Sequence, residues 1–280
     1  MTTTTPSERA AERTRSQDPY ARITELDTAT LAGLAERLET RGRQPGQQRI
    51  WQDFLSHANY PDGSRVLDVG CGTGLITQQI SGRPGVAEAV GVDPSAYFID
   101  RARRRAPRLR FDVADGRDLP YDDGSFDGVV MATALCHIPS PELAVAEARR
   151  VLRPGGTLLV YDGDYATTTV ALAANDPLQT CAAATLDRLV HDPWLMRRIT
   201  PLVAAAGLRP GQLHSHGYVE TGSPTYLLTI VDYGADTLAA AGHISPATAD
   251  ALKAEARHRA DAGRFFGHIA YATLPATRPL

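Results

Sequence analysis

The sequence predicts an α/β fold, a doubly wound and mostly parallel sheet with helices on both faces. Three observations carry this reading. Between residues 65 and 162, short aliphatic and β-branched runs alternate with helical patterns, the rhythm of strand–helix–strand crossovers. Right-handed crossovers then wind the helices onto both sides of the sheet. The turn after the first strand, Gly70-Cys-Gly-Thr-Gly74, is rich in glycine, at the strand end where such sheets bind ligands.

The elements follow in order. Leu31, Leu34, Ala35 and Leu38 recur at helical spacing, with Asp27 or Thr28 as the cap and Gly42 as the stop. A second short helix is predicted over 47–57, with Ile50, Trp51 and Phe54 on one face. Strands are predicted over 65–69, 86–92, 109–113, 126–131 and 157–161, and helices over 73–81, 95–105 and 142–152. Residues 1–18 are too polar to offset their ordering entropy and are expected to form a flexible tail. Residues 19–58 are expected to form an N-terminal helical cap, and 59–280 the main domain.

After Asp162 the rhythm breaks. A helix is predicted over 178–190, and one or two more within 222–263, split by Gly242 and Pro246. Segments of about 163–193 and 222–263 are expected as cap insertions over the ligand-binding edge. Strand-like pieces at 212–220 and 264–272 complete the sheet.

Composition limits the function. The 280 residues are 43% apolar and 22% charged, which excludes a wholly disordered chain. A net charge of −3 gives no long-range pull toward nucleic acid or anionic lipid. Cys71, Cys136 and Cys181 are too widely spaced for a disulfide framework or a zinc knuckle. Neither a membrane-length apolar run nor a signal-peptide core is evident. A soluble, cytoplasmic protein is expected, with a small-molecule substrate, no nucleic-acid or membrane partner, no metal, and room for a homodimer.

The glycine spacing narrows the ligand. A dinucleotide loop needs a third glycine at position 75, but that residue is Leu75 and the glycine comes one residue early. No lysine follows to complete a phosphate loop. The site suits a nucleoside without a pyrophosphate. Asp93, ending the second strand, can accept both hydroxyl hydrogens of a ribose. Asp115, after the third strand, can meet an adenine amino group, although aspartates also serve turns at strand ends.

Taken together, Val66–Gly74, Val90-Gly-Val-Asp-Pro-Ser95, Asp112-Val-Ala-Asp-Gly116, Leu119–Asp127 and Arg150–Thr157 resemble the class I S-adenosylmethionine-dependent methyltransferases. The likeness covers about 65–162 and is greatest to the ubiquinone and menaquinone biosynthesis branch. It implies a Rossmann-like methyltransferase fold with S-adenosyl-L-methionine as cofactor. Gly70 and Gly72, with Asp68 and Thr73, would lie along the methionine part. Asp93 and Pro94 would hold the ribose, and Ala114, Asp115 and Gly116 the adenine. Ala132 would lie near the sulfonium, and Tyr20 and Arg49 would close over the amino acid end.

Methyl transfer asks the protein to align the nucleophile, exclude water and, for a phenol, alcohol or carbon acid, take a proton. His137, just past the fourth strand, is one candidate base, or else a packing residue. Asp164 and Tyr165, past the fifth strand, are the other catalytic candidates, with Asp164 favoured as the substrate-facing acid. Asp162 caps a turn or joins them, and the pair would raise one another's pKa if both were buried. His214 and His216 share a strand face and are read as a surface pair rather than metal ligands. The arginines of 101–110 are read as a solvated face rather than an RNA patch. The absence of an Asn/Asp-Pro-Pro-aromatic motif at 131–135 argues against nucleic-acid base methylation. Two alternatives keep the cofactor without the transfer: a rearrangement steered by the sulfonium charge, and a catalytically silent binding protein.

Overall fold

The computed structural model describes residues 18–280. The expected tail at 1–17 lies outside the described residues, whereas Asp18 is only 1% exposed and belongs to the folded protein. After a 3-10 turn at Tyr20–Glu25 come α1 (Thr28–Arg43) and α2 (Pro45–Ser56). The Asp27 side chain accepts from Thr30 N–H to start α1, and Pro45 opens α2 where a missing N–H costs nothing.

Then the alternation appears as predicted: β1 (Ser64–Val69), α3 (Leu75–Ser81), β2 (Val86–Asp93), α4 (Ala96–Arg105), β3 (Arg110–Val113), β4 (Phe126–Ala132), α5 (Pro141–Val151) and β5 (Leu152–Thr169). The strand order is β3-β2-β1-β4-β5 with every neighbouring pair parallel. Val66, Leu67 and Val69 are fully buried, as expected for a central strand covered on both faces. The order reverses between β1 and β4, and the crevice at such a switch point is the binding place of this sheet type.

The remainder is α6 (Pro177–Leu189), α7 (Ile199–Ala205), β6 (Arg209–Pro210), β7 (His214–Thr221), α8 (Tyr226–Ala240), α9 (Pro246–Asp261) and β8 (Phe266–Thr277). β8 runs antiparallel to β5 and carries β6 and β7 on its other side. This pairing prolongs β5 to Thr169, past residue 163, where the first insertion was expected to begin. The short helix α7 was not foreseen, because seven residues offer too little periodicity to separate a helix from a loop. Thr185 Oγ1 donates to Ile230 O at 2.6 Å and ties α6 to α8.

The arginine stretch is only partly the solvated face expected. Arg101 and Arg105 both reach the buried Glu39 of α1, at 2.7 and 2.5 Å, and lock α4 to the N-terminal helices. Among the described residues no helix is long and apolar enough to cross a membrane.

Candidate active site

Two adjoining cavities open at the carboxyl edge of the parallel strands. The larger, about 1170 Å³, is lined by the glycine loop, Asp68, Asp93, Pro94, Asp115, Gly116 and the Ala132–Ala134 segment. The smaller, about 480 Å³, lies under α1, α6 and α8. Tyr20, Leu38, Arg41 and His137 line both and form the boundary between them.

The glycine loop is shaped by its backbone. Gly70 has φ +72°, and a Cβ there would come within 2.5 Å of the Ala134 methyl. Gly72 has φ +53°, and its N–H donates to Asp93 Oδ2 at 3.0 Å. Only glycine adopts such angles without strain, and the bare backbone leaves room for a ligand. Asp93 Oδ1 accepts from Ser95 N–H at 2.9 Å. A carboxylate has about four lone-pair sites, so two remain for a diol. Burial pushes Asp93 up to about 6, against the opposing pull of the Ser95 and Gly72 amides.

Asp68 accepts from Thr77 Oγ1 at 2.6 Å, and burial pushes it to about 7. Thr73 lines the larger cavity, and its buried hydroxyl has no protein partner. Asp115 lines the same cavity with both oxygens engaged by Arg117, at 3.0 and 2.7 Å, which holds its carboxyl below the usual range. Ala114 lies behind this wall, its N–H donating to Asp93 O at 3.2 Å.

Arg49 is a correction. It lies on the exposed face of α2 and lines neither cavity. Arg41 of α1 occupies the boundary instead. It is buried, its Nη2 donates to Thr133 Oγ1 at 2.8 Å, and its Nε has no partner. No described carboxylate forms an ion pair with it. Thr133, just past β4, holds φ +51°, which is strained for a β-branched residue.

His137 sits in a 3-10 turn, Leu135–His137, after β4. Its Nδ1 lies 2.8 Å from Asp18 Oδ2, and Tyr20 rests against its ring at 4.6 Å. Asp18 also accepts from Tyr20 N–H and His191 N–H, at 2.9 and 2.8 Å. A carboxylate that only accepts leaves the His137 proton on Nδ1 and the basic lone pair on Nε2.

The two residues past the fifth strand separate. Tyr165 is buried, lines the smaller cavity, and has its phenol pushed up by burial. Asp164 is the second correction: it faces the other way, pairs with Arg197 at 2.9 Å and lines neither cavity. Strand alternation sends neighbours to opposite faces. Asp162 is fully buried and accepts from Cys136 N–H and Gly163 N–H, at 3.1 and 2.8 Å; burial rather than Asp164 raises its pKa.

His214 and His216 do share a face, where His57 stacks on His214 at 4.0 Å and Asp53 meets His216 at 3.1 Å. Among the described residues no cluster is arranged to hold a metal.

With this geometry in place, known proteins provide a comparison. The family described as a methyltransferase domain matches residues 67–160. This stretch is thus similar to a methyltransferase domain. Its whole glycine loop, Asp93, Asp115 and the post-β4 turn fall inside the match. The ubiquinone/menaquinone biosynthesis C-methyltransferase UbiE of Rhizobium meliloti is 38% identical over 127 residues, 42% of this chain and 49% of the relative. The methyltransferase GfsG of Streptomyces halstedii is 34% identical over 121 residues, 41% and 43%. The chain thus spans about half the length of the curated relatives it matches. The solved structure of the [4+2]-cyclase SpnF superimposes on the fold with a TM-score of 0.55 and 25% identity, covering 85% of both chains. The helices α1, α6 and α8, which wall the smaller cavity, lie outside the family match.

Proposed function

We propose that the protein transfers a methyl group from S-adenosylmethionine to a small, partly apolar organic acceptor, at an oxygen, nitrogen or carbon that yields a proton. The observation that carries this reading is the shared boundary: one nucleoside-sized cavity and one acceptor-sized chamber meet at His137, Tyr20 and Arg41.

The residues fit the cofactor. Asp93 keeps two lone pairs for the ribose hydroxyls, the Thr73 hydroxyl awaits a partner, and Arg41 offers an unneutralised cation. S-adenosylmethionine supplies, when bound, a methyl group on a good leaving group, ready for in-line displacement. Asp115 and Gly116 would border the adenine. Arg41 Nη2, turned to the cofactor wall by Thr133, would meet the amino acid carboxylate, with Tyr20 closing beside it. Pro94 and Ala132 would line the nucleoside's two ends.

On the acceptor side, His137 Nε2 takes the proton as the new bond forms, and Asp18 steadies the imidazolium. Tyr165 and the apolar side chains of α6 and α8 exclude water from the chamber.

The test is incubation with methyl-labelled S-adenosylmethionine and a panel of hydroxylated, amino and enolisable acceptors. Label in product supports the reading. A panel-wide failure of transfer with the cofactor retained contradicts it. The likeness to a cyclase favours a second reading, in which the bound cofactor steers a rearrangement; there the acceptor changes and carries no label.

A further inference from the structure

The acceptor chamber holds two guanidinium groups and no lining carboxylate. Arg37 and Arg41 stand one turn apart on α1, a spacing that places them on one helix face. Arg37 is steadied by neutral groups only: Nη1 and Nη2 donate to Thr229 Oγ1 and O at 3.4 and 3.3 Å, and its plane lies 5.1 Å over the Tyr233 ring. Arg41 leaves its Nε without a partner, and the hydroxyls of Tyr165 and Tyr226 are among the groups that surround its charge.

The nearby acids are committed elsewhere. Asp18 stands behind His137, Glu220 accepts from Tyr218 Oη, Tyr226 N–H and Leu227 N–H, and Asp232 pairs with Arg257. The cofactor's carboxylate would answer the charge of Arg41, which leaves Arg37, half-buried and without an acidic partner, to favour a ligand that brings a negative charge. When bound, the cofactor's sulfonium would add a further positive charge to the site. The far wall, Leu186, Leu189, Val190 and Ile230, is apolar.

We propose that the acceptor is a carboxylic acid, a small molecule whose carboxylate lies against Arg37 while its apolar body faces α6 and α8. This rests on the methyltransferase reading of the same site. Two parallel N–H donors of a guanidinium match a carboxylate's two oxygens, so Arg37 selects an acid over its amide.

The experiment titrates protein saturated with S-adenosylhomocysteine against matched acid and amide pairs: benzoate and benzamide, salicylate and salicylamide, 4-hydroxybenzoate and 4-hydroxybenzamide, cinnamate and cinnamide. The acid of at least one pair should bind tenfold or more tightly than its amide. Arg37→Met should bring that ratio near one with S-adenosylhomocysteine affinity unchanged, and Arg37→Lys should keep part of it. Equal binding of acid and amide, an acid preference that survives Arg37→Met, or no binding of any acid overturns the proposal. Failure to retain S-adenosylhomocysteine in the first titration would remove the underlying reading as well, and is read separately.

Discussion

Asp18 Oδ2 lies 2.8 Å from His137 Nδ1, joining the first described residue to the turn after β4. The same carboxylate also receives the backbone N–H groups of Tyr20 and His191. It therefore fixes the imidazole's tautomer, the entry of the chain and the segment after α6 at once. Asp18→Asn keeps the shape and loses the acceptor-only character of the group. Turnover should fall about a hundredfold, the lower end of what acid–base assistance supplies, while S-adenosylhomocysteine affinity stays within about threefold. His137→Gln should do at least as much damage, and wild-type turnover in either variant would remove the base from the mechanism.

Asp93 is the proposed anchor of the nucleoside. Asp93→Asn keeps one oxygen for the Gly72 or the Ser95 N–H and cannot accept two further hydroxyl hydrogens on charged oxygens. Calorimetry should show S-adenosylhomocysteine binding weakened by about a hundredfold, the loss expected of two charge-assisted contacts. The wild-type affinity should also depend on pH. Asp93 titrates at about 6, so below that pH the group is protonated and binding weakens by about tenfold per unit. The Asn variant should lack that slope.

Asp68 makes a separate prediction about stability. Its folded value of about 7 stands above the unfolded 3.8, so between these values the folded chain holds a proton that the unfolded chain has released. Its contribution is full below about pH 4 and is lost as pH rises through 7. Asp68→Asn removes the titration. In urea denaturation the variant should gain on the wild type by on the order of 1–3 kcal/mol between pH 5 and 8, and a constant difference across that range would contradict the assignment.

Asp164 should prove dispensable. Its partner Arg197 is 46% exposed, and exposed ion pairs of this kind contribute little. Asp164→Asn should leave turnover within about twofold and stability within about 1 kcal/mol. A large loss of kcat would return this carboxylate to the chemistry.

Local sequence brings the strand-end residues of the larger cavity together well. Gly70, Gly72, Asp93 and Asp115 each sit at the end of a parallel strand, so the strand pattern alone brings them to one edge. The smaller cavity depends on packing between distant segments. Asp18 lies in a stretch with no periodic signal, and its partners are far along the chain. Arg41 did leave a trace: it continues the Leu34 and Leu38 stripe at helical spacing, which points it inward, while Arg49 falls off the Ile50, Trp51 and Phe54 stripe of α2. Gln47 continues that second stripe, and its Nε2 donates to the buried Tyr161 hydroxyl at 2.6 Å. The choice between Asp164 and Tyr165 turned on strand phase, where a shift of one residue exchanges the two faces.

The most direct test is a crystal structure of the protein with S-adenosylhomocysteine. The account predicts the ribose on Asp93, the adenine beside Asp115 and Gly116, the carboxylate toward Arg41 and the sulfur facing the His137 chamber. A nucleoside bound elsewhere, or lying in the cavity with its sulfur turned away from His137, would contradict it.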